Sequence, residues 1–124
     1  MKTIMVVDDE PEDLKTMKSV LEKEGYNVVT AEGGVDFLKL ITHKDFDMVL
    51  LDIRMPKLSG YDLSRLLRKR LNRKIKIIYV TIVPEKEVAM NNIDGFIQKP
   101  FSPESLLDGV KKALGEKIIR RGKK

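Results

Sequence analysis

Three carboxylates follow two apolar runs of the sequence. Asp8 and Asp9 come directly after residues 3–7, and Asp52 comes directly after residues 47–51. Carboxylates that converge repel one another, and a bound cation relieves that repulsion. Oxygen ligands of this kind suit a hard ion, and a partly hydrated octahedral Mg²⁺ fits such an open site. The three residues therefore predict a Mg²⁺ site, provided that the two runs lie side by side.

A hydroxyl and an ammonium follow two further apolar runs. Thr81 follows residues 75–80, and Lys99 follows residues 95–98. A metal and an ammonium neutralise the oxygens of a phosphoryl group while an oxygen of an Asp carboxylate attacks phosphorus in line. These residue types together predict phosphoryl transfer.

Strand-like runs and helix-like periodicities alternate along the chain. The predicted strands, each a short run rich in β-branched and apolar residues, are 3–7, 27–31, 47–51, 75–80 and 95–98. Five strand–helix units predict a parallel sheet with helices on both faces. Sites in such sheets form beyond the carboxyl ends of the strands, where the carboxylates, the hydroxyl and the ammonium all occur.

The predicted helices have recognisable ends and apolar stripes. The first begins near Pro11 and stops at Gly25, and the last is capped by Ser102 with Pro103 just inside it. The second covers about residues 35–41. The apolar stripe of the third helix consists of Leu63, Leu66, Leu67 and Leu71. A weak fourth helix is predicted from Pro84 to about Asn91.

The composition fits one globular domain. The chain has 124 residues, of which 42% are hydrophobic, enough for one core without disulfides. The absence of Cys excludes thiolate metal sites, a Cys nucleophile and a disulfide scaffold. No apolar run of the sequence approaches the roughly 20 residues that span a bilayer. We therefore expect no membrane insertion and a cytoplasmic location.

Four motifs carry a family resemblance. They are Asp8-Asp9, Asp52-x-x-Met55-Pro56-x-x-x-Gly60, Thr81, and Lys99-Pro100-Phe101. In this order, each at a predicted strand end, they make the chain similar over nearly its whole length to the CheY-like receiver domains of two-component response regulators. The resemblance implies a flavodoxin-like, doubly wound five-stranded parallel sheet with strand order 2-1-3-4-5. The stretch between Thr81 and Lys99 is shorter than is usual in the family, which predicts a shortened fourth helix.

The resemblance implies a role for each residue of the site. Asp52 resembles the phosphoryl acceptor and Lys99 the phosphate-binding lysine. Asp9 and Asp52 resemble direct Mg²⁺ ligands, Asp8 resembles a ligand acting largely through water, and the backbone carbonyl of Arg54 would complete the protein's share.

The resemblance also implies a conformational switch. Thr81 resembles the hydroxyl that moves toward the phosphoryl group, and Phe96 the aromatic that swings inward when it does. Each also has an ordinary interpretation, Thr81 as a strand-end residue and Phe96 as part of the core. The implied function is a phosphoacceptor that changes conformation to regulate a partner.

The resemblance implies partners as well. The donor would be a phosphohistidine on a sensor histidine kinase or a phosphotransfer protein, and a downstream effector protein would respond to the switch. His43 is the sole histidine, so we expect the chain to receive a phosphoryl group rather than to donate one. We expect a monomer or weak homodimer. We also expect a signalling switch that catalyses its own phosphorylation and dephosphorylation, not an enzyme acting on a free metabolite.

The domain boundary is predicted near the C-terminus. We expect residues 1–115 to form the receiver domain and residues 116–124 to form a basic helix end or tail. We expect a stand-alone domain, although one cut from a hybrid kinase or a larger regulator would carry the same motifs.

Three positions depart from the family pattern. Ile82 follows Thr81 where a small residue is usual, and it either narrows access to Asp52 or turns into the core. Arg54 and Val83 occupy positions that in the family tune the loss of the phosphoryl group. Val83 offers no polar atom to hold a water. These departures predict slow phosphorylation and slow hydrolysis.

Two other functions compete with the receiver interpretation. The chain carries a formal net charge of +5, and its basic third helix and tail would suit a nucleic-acid-binding or constitutive protein-interaction module. Against nucleic acid, the leucine stripe of that helix must face the sheet, and we expect a solvated basic face. A phosphatase of the Asp-nucleophile type usually has a second Asp two residues after the nucleophile, where this chain has Arg54.

Overall fold

The computed structural model describes residues 1–42, 45–70 and 75–118. At Arg70 it describes the backbone but not the side chain. Some predictions lie outside the described residues, namely those on His43, Leu71, residues 73–74 and residues 119–124 of the tail.

Five parallel strands form one sheet in the order β2-β1-β3-β4-β5. The strands are β1 (Thr3–Val7), β2 (Asn27–Ala31), β3 (Met48–Leu51), β4 (Lys76–Thr81) and β5 (Gly95–Gln98). The central strand β1 pairs with β2 and β3, so that Val7 lies opposite both Ala31 and Leu51. The predicted fold class and strand order are confirmed.

Helices cover both faces of the sheet. They are α1 (Pro11–Lys23), α2 (Gly34–Leu40), α3 (Gly60–Arg70) and α4 (Pro103–Leu114). Side chains alternate along each strand, so each face has its own core. One core contains Val49 with Phe37 of α2 and Leu63 of α3. The other contains Leu50 with Leu14 of α1 and residues of α4.

The sequence signals for α4 act as expected. Ser102 and Ser105 form a reciprocal capping box, and Pro103 occupies the first turn. Gly115 ends the helix in the left-handed conformation with φ of 75°. Just beyond it, Glu116 accepts a hydrogen bond of 2.7 Å from the Tyr26 hydroxyl. The domain boundary at residue 115 stays a prediction.

The sequence predicted a shortened fourth helix between β4 and β5. The structure has only one 3₁₀ turn there, Glu85–Glu87, so this segment is not α4. The expected extent to about Asn91 was too long. Val88 ends the turn with an extended backbone, φ −95° and ψ 131°, and buries its side chain in the core on the α2–α3 face. An extended residue turned inward stops the helix, and a Val satisfies the apolar pattern equally well in either conformation.

A search of the described residues finds no helix that is both long and apolar enough to cross a membrane.

Candidate functional site

The ends of β1 and β3 bring three carboxylates together. The backbone N–H of Asp8 donates to the Ala31 carbonyl at 3.1 Å, and that of Asp52 donates to the Val7 carbonyl at 3.0 Å. Both residues therefore continue the ladder of the sheet and lie side by side. One carboxylate oxygen from each of Asp8, Asp9 and Asp52 lies within 4.8 Å of the others. Asp8 and Asp52 are buried, and Asp9 is exposed.

Lys99 places its ammonium among these carboxylates. Its Nζ lies 2.7 Å from Asp8 Oδ2, 3.1 Å from Asp52 Oδ2 and 2.7 Å from Asp13 Oδ2. The side chain of Lys99 is only 8% exposed. Its backbone N–H donates to the Thr81 carbonyl at 2.8 Å, which fixes the start of the side chain at the end of β4. Asp13, in the first turn of α1, did not emerge from the sequence as a site residue.

The charges in this cluster do not balance. Burial raises the pKa of the Asp8 carboxyl from 3.8 to about 6, against the lowering effect of its hydrogen bond from Lys99. Burial also lowers the pKa of Lys99, but hydrogen bonds to Asp13 and Asp8 outweigh this effect and hold that pKa above its ordinary value. Lys99 has three anionic partners, whereas Asp8 shares this one cation with two other carboxylates. The site carries excess negative charge, and a cation would relieve it.

All-carboxylate ligands on one open edge fit the chemistry of Mg²⁺. Asp8, Asp9 and Asp52 are the residues that would hold it. The structure supports this donor set because one carboxylate oxygen of each residue lies within 4.8 Å of the others. The backbone carbonyl of Arg54 as a fourth ligand stays a prediction.

Gly60 shapes the loop that carries Asp52. Its N–H donates to the Ile53 carbonyl at 3.0 Å and closes the loop. A Cβ on Gly60 would collide with the Asp52 carbonyl oxygen and would lie 3.0 Å from the Ile53 Cα. Within the loop, the Arg54 N–H points to Asp52 Oδ1 at 3.3 Å. The glycine of the motif is thus required by the close approach of α3 to the acceptor backbone.

Thr81 and Phe96 occupy neighbouring strands near the site. Thr81 is fully buried, and its hydroxyl accepts a hydrogen bond from the Val83 N–H at 3.2 Å. Phe96 is half-buried, lies opposite Tyr79 across β4 and β5, and packs against the core on the α2–α3 face. Their roles as a coupled switch stay predictions.

The two residues after Thr81 point in opposite directions. Ile82 is 59% exposed, so the interpretation that it turns into the core is wrong. Val83 does turn inward and is buried on the α2–α3 face. Ile82 as a steric gate to Asp52 stays a prediction.

Gln98 is a second residue that sequence analysis missed. Its Nε2 donates to the Thr81 carbonyl at 3.0 Å and to the Val83 carbonyl at 3.3 Å. It joins the end of β5 to the segment that follows β4. The next peptide bond but one, Lys99–Pro100, is cis. No sequence pattern distinguishes such a Gln from a solvent-exposed one.

The basic face of α3 is partly used inside the domain. Arg68 donates to the Asn92 carbonyl at 2.9 Å, to the Ile75 carbonyl at 2.8 Å and to Asp94 Oδ2 at 2.9 Å. Arg65 forms an ion pair with Asp62, three residues away on the same helix. These guanidinium groups therefore have intramolecular roles, which does not favour the nucleic-acid alternative.

The sequence matches a known family and known proteins. The family model of the response regulator receiver domain matches residues 4–111. The response regulator SaeR of Staphylococcus epidermidis is 35% identical over 111 residues, which cover 86% of this chain and 48% of that protein. SaeR of Staphylococcus aureus is 32% identical over the same length. The chain thus spans about half the length of the curated relatives it matches.

Solved structures agree with these matches. Response regulator TrrA of Thermotoga maritima, crystallised in complex with Mg²⁺ and BeF, is similar with a TM-score of 0.83 and 36% identity, covering 91% of this chain and 99% of that one. A complex of the histidine kinase ThkA with TrrA gives a TM-score of 0.82 and 37% identity, covering 92% and 99%. Fold, family model and relatives together show that this chain belongs to the response regulator receiver domain family of two-component signal transduction.

Proposed function

We propose that Asp52 accepts a phosphoryl group in a Mg²⁺-dependent reaction that the domain itself catalyses. The observation that carries the proposal is the position of Asp52, with Lys99 Nζ at 3.1 Å and with Asp8 and Asp9 close enough to share one cation. This arrangement combines a nucleophile, an ammonium and a metal ligand set at one strand edge.

The covalent step has a simple balance. An oxygen of the Asp52 carboxylate attacks phosphorus, and the bond between phosphorus and the leaving atom of the donor breaks. The leaving atom, an imidazole nitrogen of a phosphohistidine or an oxygen of acetate from acetyl phosphate, keeps the electron pair. In hydrolysis, water attacks the phosphorus, the Asp52 carboxylate leaves with the electron pair, and inorganic phosphate is released with a proton.

Each residue of the site has a defined part in the transfer of the phosphoryl group. Lys99 stays protonated, since three carboxylates surround it, and donates to an oxygen of the phosphoryl group. Mg²⁺, when bound, supplies positive charge for the phosphoryl oxygens. Asp8 and Asp9, together with Asp52, would hold it. The loop closed by Gly60 orients the acceptor, because transfer needs the attacking and leaving atoms in line.

The output of the reaction is a change of packing between β4 and β5. The Thr81 hydroxyl moves toward the phosphoryl group and gives up its bond from the Val83 N–H. The space it leaves is filled by Phe96, which is half-buried in the resting protein. Two discrete packings of this kind form a switch. Gln98 spans both strands and transmits the movement to the segment after β4.

This chemistry and the similar proteins indicate the kind of partner. TrrA has been crystallised in complex with the histidine kinase ThkA. We propose that a sensor histidine kinase or a phosphotransfer protein donates the phosphoryl group to Asp52. A downstream effector protein then recognises the switched surface.

Acceptance of the phosphoryl group is tested with a small donor. The protein is incubated with Mg²⁺ and acetyl phosphate, and its intact mass is measured over time. We expect the addition of one phosphoryl group, which chelation of Mg²⁺ prevents and Asp52→Asn abolishes.

The matched control is Asp45→Asn, which removes an exposed carboxylate near the opposite, amino end of β3. This variant should be labelled like the wild type. Full labelling of Asp52→Asn, or a rate that is independent of Mg²⁺, would refute the proposed function.

A further inference from the structure

Lys99 already contacts three carboxylates before any phosphoryl group arrives. An ammonium has three N–H donors. Its three carboxylate partners are Asp8, Asp13 and Asp52, at 2.7, 2.7 and 3.1 Å. A phosphoryl oxygen that binds Lys99 therefore competes with these three carboxylates for the ammonium.

Asp13 differs from the other two partners. Asp8 and Asp52 are buried and belong to the group of carboxylates that can hold a metal ion, and among the described residues Asp13 lies outside that group. The Asp13 side chain is 35% exposed and comes from the first turn of α1 rather than from a strand end. Its ion pair with Lys99 is therefore the one that can open toward water without disturbing the metal ligands.

We propose that Asp13 is a positioning residue that competes with the phosphoryl group for Lys99. The inference rests on the proposed function, because it concerns the same transfer. In the resting protein Asp13 holds the ammonium in an ion pair of 2.7 Å, and on phosphorylation it gives up that contact to a phosphoryl oxygen. The Asp13 carboxylate thus sets how readily the site accepts an anion.

The same carboxylate has the opposite effect on the cation. Asp13 adds negative charge near the metal ligands, both directly and by neutralising Lys99. Removal of that charge should weaken the binding of Mg²⁺ and strengthen the binding of the phosphoryl donor. A purely structural role in α1 would not produce two changes of opposite sign.

The decisive variant is Asp13→Asn, which keeps the shape of the side chain and removes its charge. Mg²⁺ affinity is measured by calorimetric titration, and the kinetics with acetyl phosphate are measured at saturating Mg²⁺. We expect Mg²⁺ to bind about twofold more weakly, a modest effect because solvent screens a partly exposed charge. The KM for acetyl phosphate should fall by about two- to fivefold, the range of a partly exposed ion pair.

The kcat should stay unchanged. Lys99 contacts the phosphoryl group in both the bound donor and the transition state, so its release strengthens the two equally.

The matched control is Glu12→Gln. Glu12 is the neighbouring acid in the same first turn of α1, so both variants lose the same favourable interaction with the helix N-terminus. This variant should keep the wild-type KM and Mg²⁺ affinity.

If the wild type is phosphorylated, three results would overturn this inference and leave the proposed function intact. The first is that Asp13→Asn keeps the wild-type KM for acetyl phosphate and the wild-type dissociation constant of Mg²⁺. The others are that both constants change in the same direction, or that Glu12→Gln shows the same effects. A wild type that takes up no phosphoryl group would instead overturn the proposed function, and the inference with it.

Discussion

The acceptor edge and the connection between β4 and β5 are built in different ways. At the acceptor edge, Asp8 and Asp52 extend the hydrogen-bond ladder of adjacent parallel strands, and Lys99 reaches both. In the connection, residues 82–94 contain only one 3₁₀ turn, and most of their side chains are exposed.

The difference shows which parts of the fold the chemistry constrains. Phosphoryl transfer needs a nucleophile, an ammonium and metal ligands within a few ångströms, and strand ends supply that precision. In the proposed switch, the connection presents a surface that responds to the site, and a loop held at a few points is sufficient for that. The acceptor edge therefore follows the family pattern, while the connection departs from it.

The largest effect is expected at the acceptor edge, from Gly60→Ala. The added Cβ collides with the Asp52 carbonyl oxygen, so the loop or α3 must shift. We expect phosphorylation by acetyl phosphate to slow by about a hundredfold, since small misplacements cost that much. The free energy of unfolding in urea should fall by about 1–3 kcal/mol. Gly33→Ala is the matched control, since a Cβ there meets no atom within 4 Å and the φ of 175° suits any residue. Equal rates in the two variants would contradict this account of the loop.

A second effect should be confined to the connection. Arg68→Met removes the hydrogen bonds that tie α3 to Asn92, to Ile75 and to Asp94. We expect the free energy of unfolding to fall by about 2 kcal/mol, as for hydrogen bonds to a charged group. Lys69→Met, at an exposed neighbouring position, should change it by no more than about 0.5 kcal/mol. An unchanged free energy of unfolding in Arg68→Met would contradict this anchoring role, and slower phosphorylation of the folded variant would show that Arg68 also positions the acceptor.

The strands could be predicted from sequence because buried parallel strands read as continuous apolar runs. Their carboxyl ends then located Asp8, Asp52 and Lys99 without any knowledge of the structure. Asp13 could not be predicted, because an acid in the first turn of a helix is usually explained by the helix dipole alone. Its contact with Lys99 depends on how α1 packs against the sheet.

For the connection, the sequence predicted correctly only that any helix between β4 and β5 is short. Val88 satisfies an apolar helical pattern and an extended, inward-facing backbone equally well, so the sequence did not exclude a longer helix. Gln98 and Arg68 gave no signal either, since long polar side chains are mostly solvated. Their partners are backbone carbonyls that only the folded chain brings close.

A third effect concerns pH at the acceptor edge. Because the pKa of Asp8 is raised from 3.8 to about 6, lowering the pH from 7 to 5 protonates it. Protons then compete with Mg²⁺, and the dissociation constant of Mg²⁺ should rise by about tenfold over this interval. Calorimetric titration at several pH values measures it.

In the metal-free protein, the raised pKa of Asp8 also predicts how the free energy of unfolding changes with pH. A pKa that is raised on folding contributes stability below the unfolded value, and that stability is lost as the pH rises through about 6. The free energy of unfolding should therefore decline between about pH 4 and pH 6, and Asp8→Asn should flatten that decline. A decline of the same size in Asp8→Asn would assign it to another group.

The smallest effect is expected where the two regions meet, at Ile82. Ile82→Ala should speed both labelling by acetyl phosphate and decay of the aspartyl phosphate by about threefold, because the proposed gate hinders the in-line approach to Asp52. Because Ile82 is 59% exposed, its loss should change the free energy of unfolding by no more than about 0.5 kcal/mol. Met90→Ala, another exposed apolar residue of the connection, is the control and should leave both rates unchanged. Unchanged rates in Ile82→Ala would refute the hypothesis that Ile82 narrows access to Asp52.

We propose that phosphorylation of Asp52 changes the packing between β4 and β5, the two strands that the connection joins. The most direct test is an NMR spectrum recorded before and after the addition of Mg²⁺ and beryllofluoride, a mimic of the phosphoryl group. We predict shifts in the loop of Asp52 and, in the same titration and with the same midpoint, at Thr81, Phe96 and Gln98. Shifts confined to the loop, with the resonances of Phe96 and Gln98 unmoved, would contradict the claim.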